Sequence, residues 1–223
     1  MNLETVYKDL REAINGEINA DKIRNLLFKL EDAIRKETCY KTSSKTRVNA
    51  IKRVASKDDL RPVLQGYGIY EDYKVVTDSY HLIAVKEDNM PVPVVESALI
   101  DLGINVHDYV MEHGSTSVIR GTYPNMKNII NFDKEYWNNE ITLDYNDVES
   151  FYKLHKNMYE KTRKEEDLYK LGSKYYDIKY IKNVIDVLGT NCKLYSREDA
   201  STAPLYFIND KDELGLVLPI RVF

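Results

Sequence analysis

The residues best suited to acid–base chemistry in this chain are four histidines, His81, His107, His113 and His155, which we expect to lie in separate elements. None of them belongs to an HxH or HExxH pattern or stands at metal-ligand spacing from an acidic residue. Nucleotide-dependent chemistry and serine hydrolysis also lack support, because the GxGxxG, GxxxxGKS/T and GxSxG patterns are absent. The sequence therefore predicts no catalytic residue, no metal site and no cofactor, and we expect a protein that is not an enzyme.

The two cysteines favour reduced thiols over a cross-link. Cys39 and Cys192 stand singly, without the CxxC or Cys/His spacing of a zinc site. Reduced thiols are usual in the cytosol. Residues 1–16 are amphipathic and charged, and no apolar run reaches the length of a membrane span. We therefore expect a cytoplasmic protein with no membrane partner.

The charge balance argues against a surface that binds nucleic acid over its whole extent. The formal net charge is −4 over 223 residues, which leaves room only for a local basic stripe on an acidic body. A chain of this length can form one large domain or two modest ones, each with a real apolar core.

The N-terminal part of the chain predicts a helical hairpin. Apolar residues recur at helical spacing over residues 3–14 and 21–36, and Asn15-Gly16 ends the first helix. The hairpin either packs on the remainder of the chain or mediates dimerisation. Residues 36–57 follow with seven Lys or Arg against one Glu, as a solvated linker or a phosphate contact. Residues 1–48 thus form the first predicted region.

The remainder of the chain alternates between helical and strand patterns in two cycles. Such alternation, with antiparallel strands, is typical of an α+β fold built by repetition. Helices are predicted at 49–57, within 91–103, at 147–159 and at 178–188. Strands are predicted at 66–70, 73–77, 80–85, 104–111, 117–120, 140–143, 192–195, 205–208 and 214–222.

Four stretches of the chain resemble, in order, the bacterial sliding clamp, which is the β subunit of DNA polymerase III. SKDDLRPVLQG at 56–66 is similar to the family's LRPVLxG turn into a strand, and VTDSYHLIAV at 76–85 is similar to ATDGHRLAV. GTYPNMKNII at 121–130 is similar to GRFPDYRRVLP, and LVLPIRV at 216–222 is similar to the C-terminal YVVMPMRL. The joint order carries the resemblance, since each motif alone is weakly specific.

The resemblance implies clamp-like repeats of helices packed on antiparallel sheets. Residues 49–135 correspond to the family's middle domain and residues 136–223 to a shortened last domain. The family's first domain is replaced by the N-terminal hairpin, and strands are missing around 160–174. Within the second motif, the family's Gly-His-Arg is Ser79-Tyr80-His81.

The resemblance also implies an apolar groove for short linear motifs of polymerase or repair proteins. Such a groove takes Leu or Phe anchors of the partner. Without the resemblance, most of these residues would be assigned to ordinary strand core. The implied groove residues are Thr77, Tyr80, His81, Leu82, Pro124, Ile129, Leu216, Leu218, Pro219, Ile220 and Arg221.

Duplex DNA is the second partner that the resemblance implies, held without sequence readout by cations on a layer of helices. The helix within 91–103 offers Glu96 and Asp101 instead, which opposes a uniform DNA-facing lining. Encirclement would require a homo-oligomer, and a two-domain chain closes a six-domain ring as a trimer. The implied DNA-contacting residues are Lys52, Arg53, Lys57, Lys153, Lys156, Lys179 and Lys182.

Two other functions remain open from the sequence. A clamp fold that forms no ring would act as an adaptor, offering the groove and competing for clamp-binding proteins. A sequence-specific DNA-binding regulator would use the N-terminal hairpin and the basic linker. The second helix of that hairpin carries Asp21, Glu31 and Asp32 among its basic residues, which opposes this alternative.

Overall fold

An antiparallel sheet of seven strands forms the centre of the fold, in the order β1-β2-β3-β11-β10-β9-β6. The computed structural model describes residues 44–87, 90–113, 118–131, 133, 136–137, 139–157, 164–197 and 200–221. The predicted N-terminal helical hairpin lies outside these described residues.

Helices and strands have the following bounds. The helices are α1 (Ser44–Val54), α2 (Glu96–Asp101), α3 (Val106–His113), α4 (Lys127–Ile130), α5 (Tyr145–His155) and α6 (Ile178–Leu188). The first strands are β1 (Gly68–Tyr70), β2 (Tyr73–Thr77), β3 (His81–Val85), β4 (Val94–Val95), β5 (Val118–Ile119) and β6 (Asn139–Ile141). The last strands are β7 (Tyr169–Leu171), β8 (Lys174–Tyr176), β9 (Lys193–Ser196), β10 (Leu205–Ile208) and β11 (Leu214–Val217).

Two units of one helix followed by three strands build six of the seven strands of the sheet, and β6 adds the seventh at the edge beside β9. The first unit is α1 with β1, β2 and β3, and the second is α6 with β9, β10 and β11. They join where β3 pairs with β11, from His81 opposite Val217 to Ala84 opposite Leu214. Helices α1 and α6 pack against each other, and α5 packs on α6. The predicted α+β class, with repeats of helices packed on antiparallel strands, is confirmed.

One face of the sheet forms an apolar core with these helices. Strand side chains alternate between the two faces, so Ile83 and Val85 of β3 face the helices together with Phe207 of β10. Helix α6 contributes Ile181, Val184 and Leu188 at helical spacing, all of them buried. Burying a side chain of this size stabilises the fold by about 1.5–3 kcal/mol.

The opposite face of the sheet holds a second apolar cluster. Leu82, Leu216 and Tyr206 are the alternate residues of β3, β11 and β10. The segment from Tyr123 to Trp137, which contains α4, packs across them. This second face is therefore covered by a loop segment and one short helix, and it is on this face that a cavity remains.

The predicted strand at 104–111 is wrong, since residues 106–113 form helix α3. The reason is local: the side chain of Asn105 accepts the backbone N–H of His107 at 2.8 Å and so caps the helix. Helix α1 begins at Ser44, earlier than predicted, and ends at Val54. The β7–β8 hairpin occupies part of the stretch around 160–174 where strands were expected to be missing.

The region from residue 43 to 223 forms one compact unit. The predicted boundary near residue 135 falls between strands of the same sheet, since β1–β3 precede it and β6 and β9–β11 follow it. None of the helices within the described ranges is both long and apolar enough to span a bilayer.

Candidate functional site

A cavity of about 530 Å³ opens on the face of the sheet opposite to α1 and α6. Its walls come from five separate parts of the chain: the short helical turn before β1, the turn between β2 and β3, the segment around α4, the start of β10, and the end of β11. We call it the groove. The predicted groove residues that line it are Thr77, Tyr80, His81, Leu82, Pro124, Ile129, Leu216 and Leu218.

The last three predicted groove residues, Pro219, Ile220 and Arg221, do not line the cavity. Ile220 forms an isolated bridge with Tyr175 of β8 and donates its backbone N–H to the Tyr175 carbonyl at 2.7 Å. The chain beyond Leu218 is thus held against the β7–β8 hairpin.

Several further residues that were not predicted line the groove. Tyr206 could have been found, because it alternates with Leu205 and Phe207 in a predicted strand and so shares the face of Leu216. No local pattern identified the others, since they lie in irregular or short segments. These additional residues are Leu64, Ser79, Met126, Asn128, Asn131, Asp133, Tyr136, Trp137 and Pro204.

The floor of the groove is apolar and closely packed. Leu82 and Leu216 are buried on neighbouring strands, and the ring of Trp137 lies 4.5 Å from that of Tyr206. The Tyr206 hydroxyl donates to the Ile129 carbonyl at 2.9 Å and so fixes α4 over the sheet. Burial raises the pKa of Tyr206 to about 12, which keeps this hydroxyl a neutral donor.

The rim of the groove exposes apolar and aromatic side chains. Tyr80 and Tyr136 are each 55% exposed and Leu218 is 37% exposed. Asn128 and Asn131 add amide groups at the same opening. An apolar floor with an exposed aromatic rim and a few amides suits a ligand with apolar side chains and a polar backbone.

The turn between β2 and β3 is fixed by its own side chains. The carboxylate of Asp78 accepts the backbone N–H of Tyr80 at 2.8 Å and that of His81 at 2.9 Å. Burial of Asp78 opposes its ionisation, but the bonds from the His81 ring and these N–H groups outweigh it, so the pKa of Asp78 lies below its usual value. Ser79 adopts φ +81°, a left-handed conformation that favours glycine, where the family motif has Gly.

His81 borders the groove, but its imidazole is directed to the helix side of the sheet. The ring stacks on Tyr180 of α6 with centroids 4.4 Å apart, and its side chain is 1% exposed. Its Nδ1 lies 2.8 Å from Asp78 and its Nε2 lies 3.3 Å from the amide of Asn183. A direct contact between this ring and a groove ligand is therefore excluded in this conformation.

The predicted DNA-contacting residues belong to the helix side of the sheet, and several are paired with carboxylates. Arg53 contacts Asp186 at 2.7 Å, and Lys182 contacts both Asp186 and Glu149. Lys153 lies 3.7 Å from Glu149. Lys182 also lies over the ring of Tyr152. These contacts neutralise much of the positive charge that the sequence placed on this layer.

Five predicted cations of this layer are solvent-exposed: Lys52, Lys57 and Lys156, and also Arg53 and Lys153 with their carboxylate contacts. Lys179, at the start of α6, is half-buried. The acidic residues of α2 remain as predicted, with Glu96 in its first turn and Asp101 at its end. The charge on the helix side is therefore mixed, with a few exposed amines.

A second histidine, His155, makes contacts with an aromatic ring and a carboxylate. His155 stacks on Phe151 at 4.1 Å and lies 3.5 Å from Asp167. Within the part of the chain that the structure describes, no group of three or more His, Cys, Asp or Glu is arranged to hold a metal ion.

No protein-family model matches this chain. No curated protein matches it either.

Solved structures of three bacterial sliding clamps are similar to this chain. The β sliding clamp of C. crescentus matches 81% of the chain with a TM-score of 0.49 and 17% identity. The DNA polymerase sliding clamp of Bacillus subtilis matches with a TM-score of 0.45 and 12% identity, and that of Pseudomonas aeruginosa with 0.44 and 14%, each over 81% of the chain. The chain spans less than two thirds of these clamps, namely 64%, 63% and 65% of their lengths. They belong to the family that the four sequence motifs resemble.

Proposed function

We propose that this chain is a sliding-clamp-like accessory protein of DNA replication that holds a short linear motif of a polymerase or repair protein in the groove. The observation that carries this proposal is the convergence of Leu82, Ile129 and Leu218, from widely separated parts of the sequence, on one cavity. Strand core alone would not leave an open cavity between them. Support also comes from the sequence resemblance, which named these residues for a groove.

The chemistry of the groove favours a peptide with Leu or Phe anchors. Its volume of about 530 Å³ lies within the range of about 300–1,000 Å³ that binding pockets usually have. The apolar floor gives anchors a dry contact, and the Asn128 and Asn131 amides can bond the peptide backbone or a Gln side chain. The function proposed is thus binding, with no chemical step.

The test is a titration with a synthetic peptide that contains Gln, Leu and Phe. Trp137 is the only tryptophan of the chain and lines the groove, so its fluorescence reports binding without a label. Leu218→Glu should weaken binding about tenfold or more, because a charge replaces an apolar rim contact. Leu154→Glu is the matched control, since Leu154 is 77% exposed on α5 and does not line the groove.

Two outcomes would overturn the proposal. The absence of any binding by the wild-type protein would remove this partner class. Equal affinities of the wild type and Leu218→Glu would place the peptide elsewhere. Circular dichroism of both variants separates loss of the site from loss of the fold.

Duplex DNA is a second proposed partner. The supporting observation is that Lys52, Lys57 and Lys156 are exposed on or next to the helices of one layer. Such amines suffice for contacts to phosphates without sequence readout. The carboxylates of Asp186 and Glu149 oppose strong binding, so we expect an affinity that is detectable only at low salt.

The oligomeric state separates a DNA-encircling clamp from a non-ring adaptor. Light scattering of the purified full chain should give a trimer or another closed oligomer for a ring. A monomer that still binds the peptide would establish the adaptor that competes for clamp-binding proteins. Either result leaves the groove proposal to be decided by the titration.

A further inference from the structure

Four polar side chains, joined by hydrogen bonds in series, connect the surface of the helix layer to the turn that borders the groove. We call them the hydrogen-bonded series. Arg53 of α1 donates from Nε to Oδ1 of Asn183 on α6, at 2.7 Å. The Asn183 Nδ2 lies 3.3 Å from Nε2 of His81, and the His81 Nδ1 lies 2.8 Å from Asp78. The four residues thus connect two helices, strand β3 and the turn before it.

The donors and acceptors of the hydrogen-bonded series have one consistent direction. The guanidinium of Arg53 can only donate, so the oxygen of the Asn183 amide must face it. The amide nitrogen of Asn183 then faces His81 and donates to Nε2, which must accept. The proton of the neutral imidazole therefore sits on Nδ1 and is donated to the carboxylate of Asp78.

The inner part of the hydrogen-bonded series is buried, while its outer end at Arg53 is open to solvent. The side chain of Arg53 is 40% exposed, whereas that of His81 is 1% exposed and Asn183 is buried. Hydrogen bonds in such surroundings are strong, and a donor left without an acceptor there is costly. Turning the Asn183 amide would put donor against donor at Arg53 and acceptor against acceptor at Nε2 of His81. Arg53 therefore sets the orientation of the Asn183 amide, and that amide in turn sets which nitrogen of His81 carries the proton.

Asp78, the last of the four hydrogen-bonded side chains, holds the turn at the rim of the groove. The Asp78 oxygen that accepts from the His81 ring also accepts the backbone N–H of Tyr80. Tyr80 is half-exposed at the rim, and its ring stacks on Tyr180 with centroids 6.0 Å apart. Loss of the His81 bond would thus loosen the turn that places Tyr80.

We propose that Arg53 and Asn183 are positioning residues of the groove, acting from the helix side of the sheet through the tautomer and orientation of His81. The proposal rests on the proposed peptide-binding function. The affinity of the groove for a peptide would therefore change when another group binds the Arg53 side chain. It also gives Arg53 a role other than contact with DNA.

The first test is independent of any peptide. Nitrogen-15 NMR of the imidazoles should find His81 of the wild type protonated at Nδ1, with Nε2 accepting a hydrogen bond. Arg53→Met should alter this His81 signature and shift the backbone amide signals of Tyr80 and His81. The control is Lys52→Met, which removes a neighbouring charge on α1 and should leave both unchanged. A wild-type His81 protonated at Nε2, or signals that Arg53→Met leaves unaltered, would overturn the proposal.

The second test measures the groove itself by the Trp137 titration with the same synthetic peptide. Arg53→Met should weaken binding about fivefold, whereas Lys52→Met should not. Asn183→Leu should weaken it similarly, and adding Arg53→Met to that variant should cost nothing more, because both act through His81. Additive losses, or equal losses in Lys52→Met, would refute the coupling. If the wild type bound no peptide, the proposed function would fail, and the NMR result would still decide whether Arg53 orders the turn.

Discussion

Leu218 donates its backbone N–H to the carbonyl oxygen of Tyr80 at 2.9 Å, one residue beyond the end of β11. This bond continues the pairing of β11 with β3 and joins the C-terminal part of the chain to the turn at residues 77–81. Both residues expose their side chains at the rim of the groove. The groove is therefore complete only when the end of β11 is held against the turn before β3.

The conformation of Ser79 predicts a gain of stability from glycine. A residue with a side chain at φ +81° costs about 1–2 kcal/mol, which glycine avoids. Ser79→Gly should unfold with a free energy about 1 kcal/mol higher than Ser79→Ala, because both lose the hydroxyl bond from Arg61 but only alanine keeps the strain. Urea unfolding of the two variants measures this difference. Equal stabilities would show that the turn relaxes at no cost.

The buried pair of Arg47 and Glu213 predicts a large and pH-dependent loss when it is broken. Arg47 of α1 contacts Glu213 at 2.7 Å, and the Glu213 side chain is 3% exposed. Glu213→Gln should lower the free energy of unfolding by about 3 kcal/mol at pH 7, because the guanidinium loses a buried partner. Glu87→Gln, which removes the more exposed carboxylate bound to the same arginine, should cost about 0.5 kcal/mol or less.

The pH dependence of stability follows from the direction of the Glu213 pKa. Burial opposes ionisation of Glu213, but bonds from Arg47 and Asn209 outweigh it and hold its pKa below the usual value of 4.5. The folded state therefore gains stability above pH 4.5 that is lost as the pH falls through the lowered pKa. As the pH falls below 5, the free energy of unfolding should decrease more for the wild type than for Glu213→Gln. Parallel pH profiles of the two proteins would contradict this account.

The contact of Gly215 with helix α6 predicts a paired effect in the core. A Cβ at this position would lie 2.3 Å from Cγ1 of Val184 and 2.9 Å from Cδ1 of Leu188. Gly215→Ala should destabilise the fold by about 2 kcal/mol through overpacking. Val184→Ala should also destabilise it, through a cavity. The double variant should lose less than the sum, because the new methyl group fills part of the space that Val184 leaves. Strict additivity in chemical unfolding would argue against this close packing.

The exposed amines of the helix layer predict a weak, salt-sensitive contact with duplex DNA. Lys156→Gln should weaken binding at low salt, and raising the salt should remove the difference. The matched control is Lys127→Gln, since Lys127 is exposed at the start of α4 on the groove side of the sheet. Fluorescence anisotropy with a labelled duplex of arbitrary sequence measures both. An equal effect of the two substitutions would indicate only a response to net charge.

Local periodicity was sufficient to predict a helix or strand wherever its apolar residues follow a regular spacing. Helix α6 occupies residues 178–188 and β2 occupies residues 73–77, both as predicted, because their apolar residues recur with the period of a helix or a strand. The strand expected at 104–111 failed because apolar residues there suggested a strand while the Asn105 cap nucleated a helix. The capping bonds of Asn105 favour the helix where the apolar pattern was ambiguous.

The sequence by itself, through four ordered motifs, determined that the turn at 77–82, the α4 region and the end of β11 belong together, and they line one cavity. Only the tertiary structure decided that Ile220 bonds to the backbone of Tyr175 outside that cavity and that the His81 ring faces α6. It also decided that Arg53 is bound by Asp186 and Asn183. The physical reason is that a motif specifies residue types along the chain, whereas hydrogen bonds and ion pairs depend on distances across the sheet and between helices that the fold alone sets.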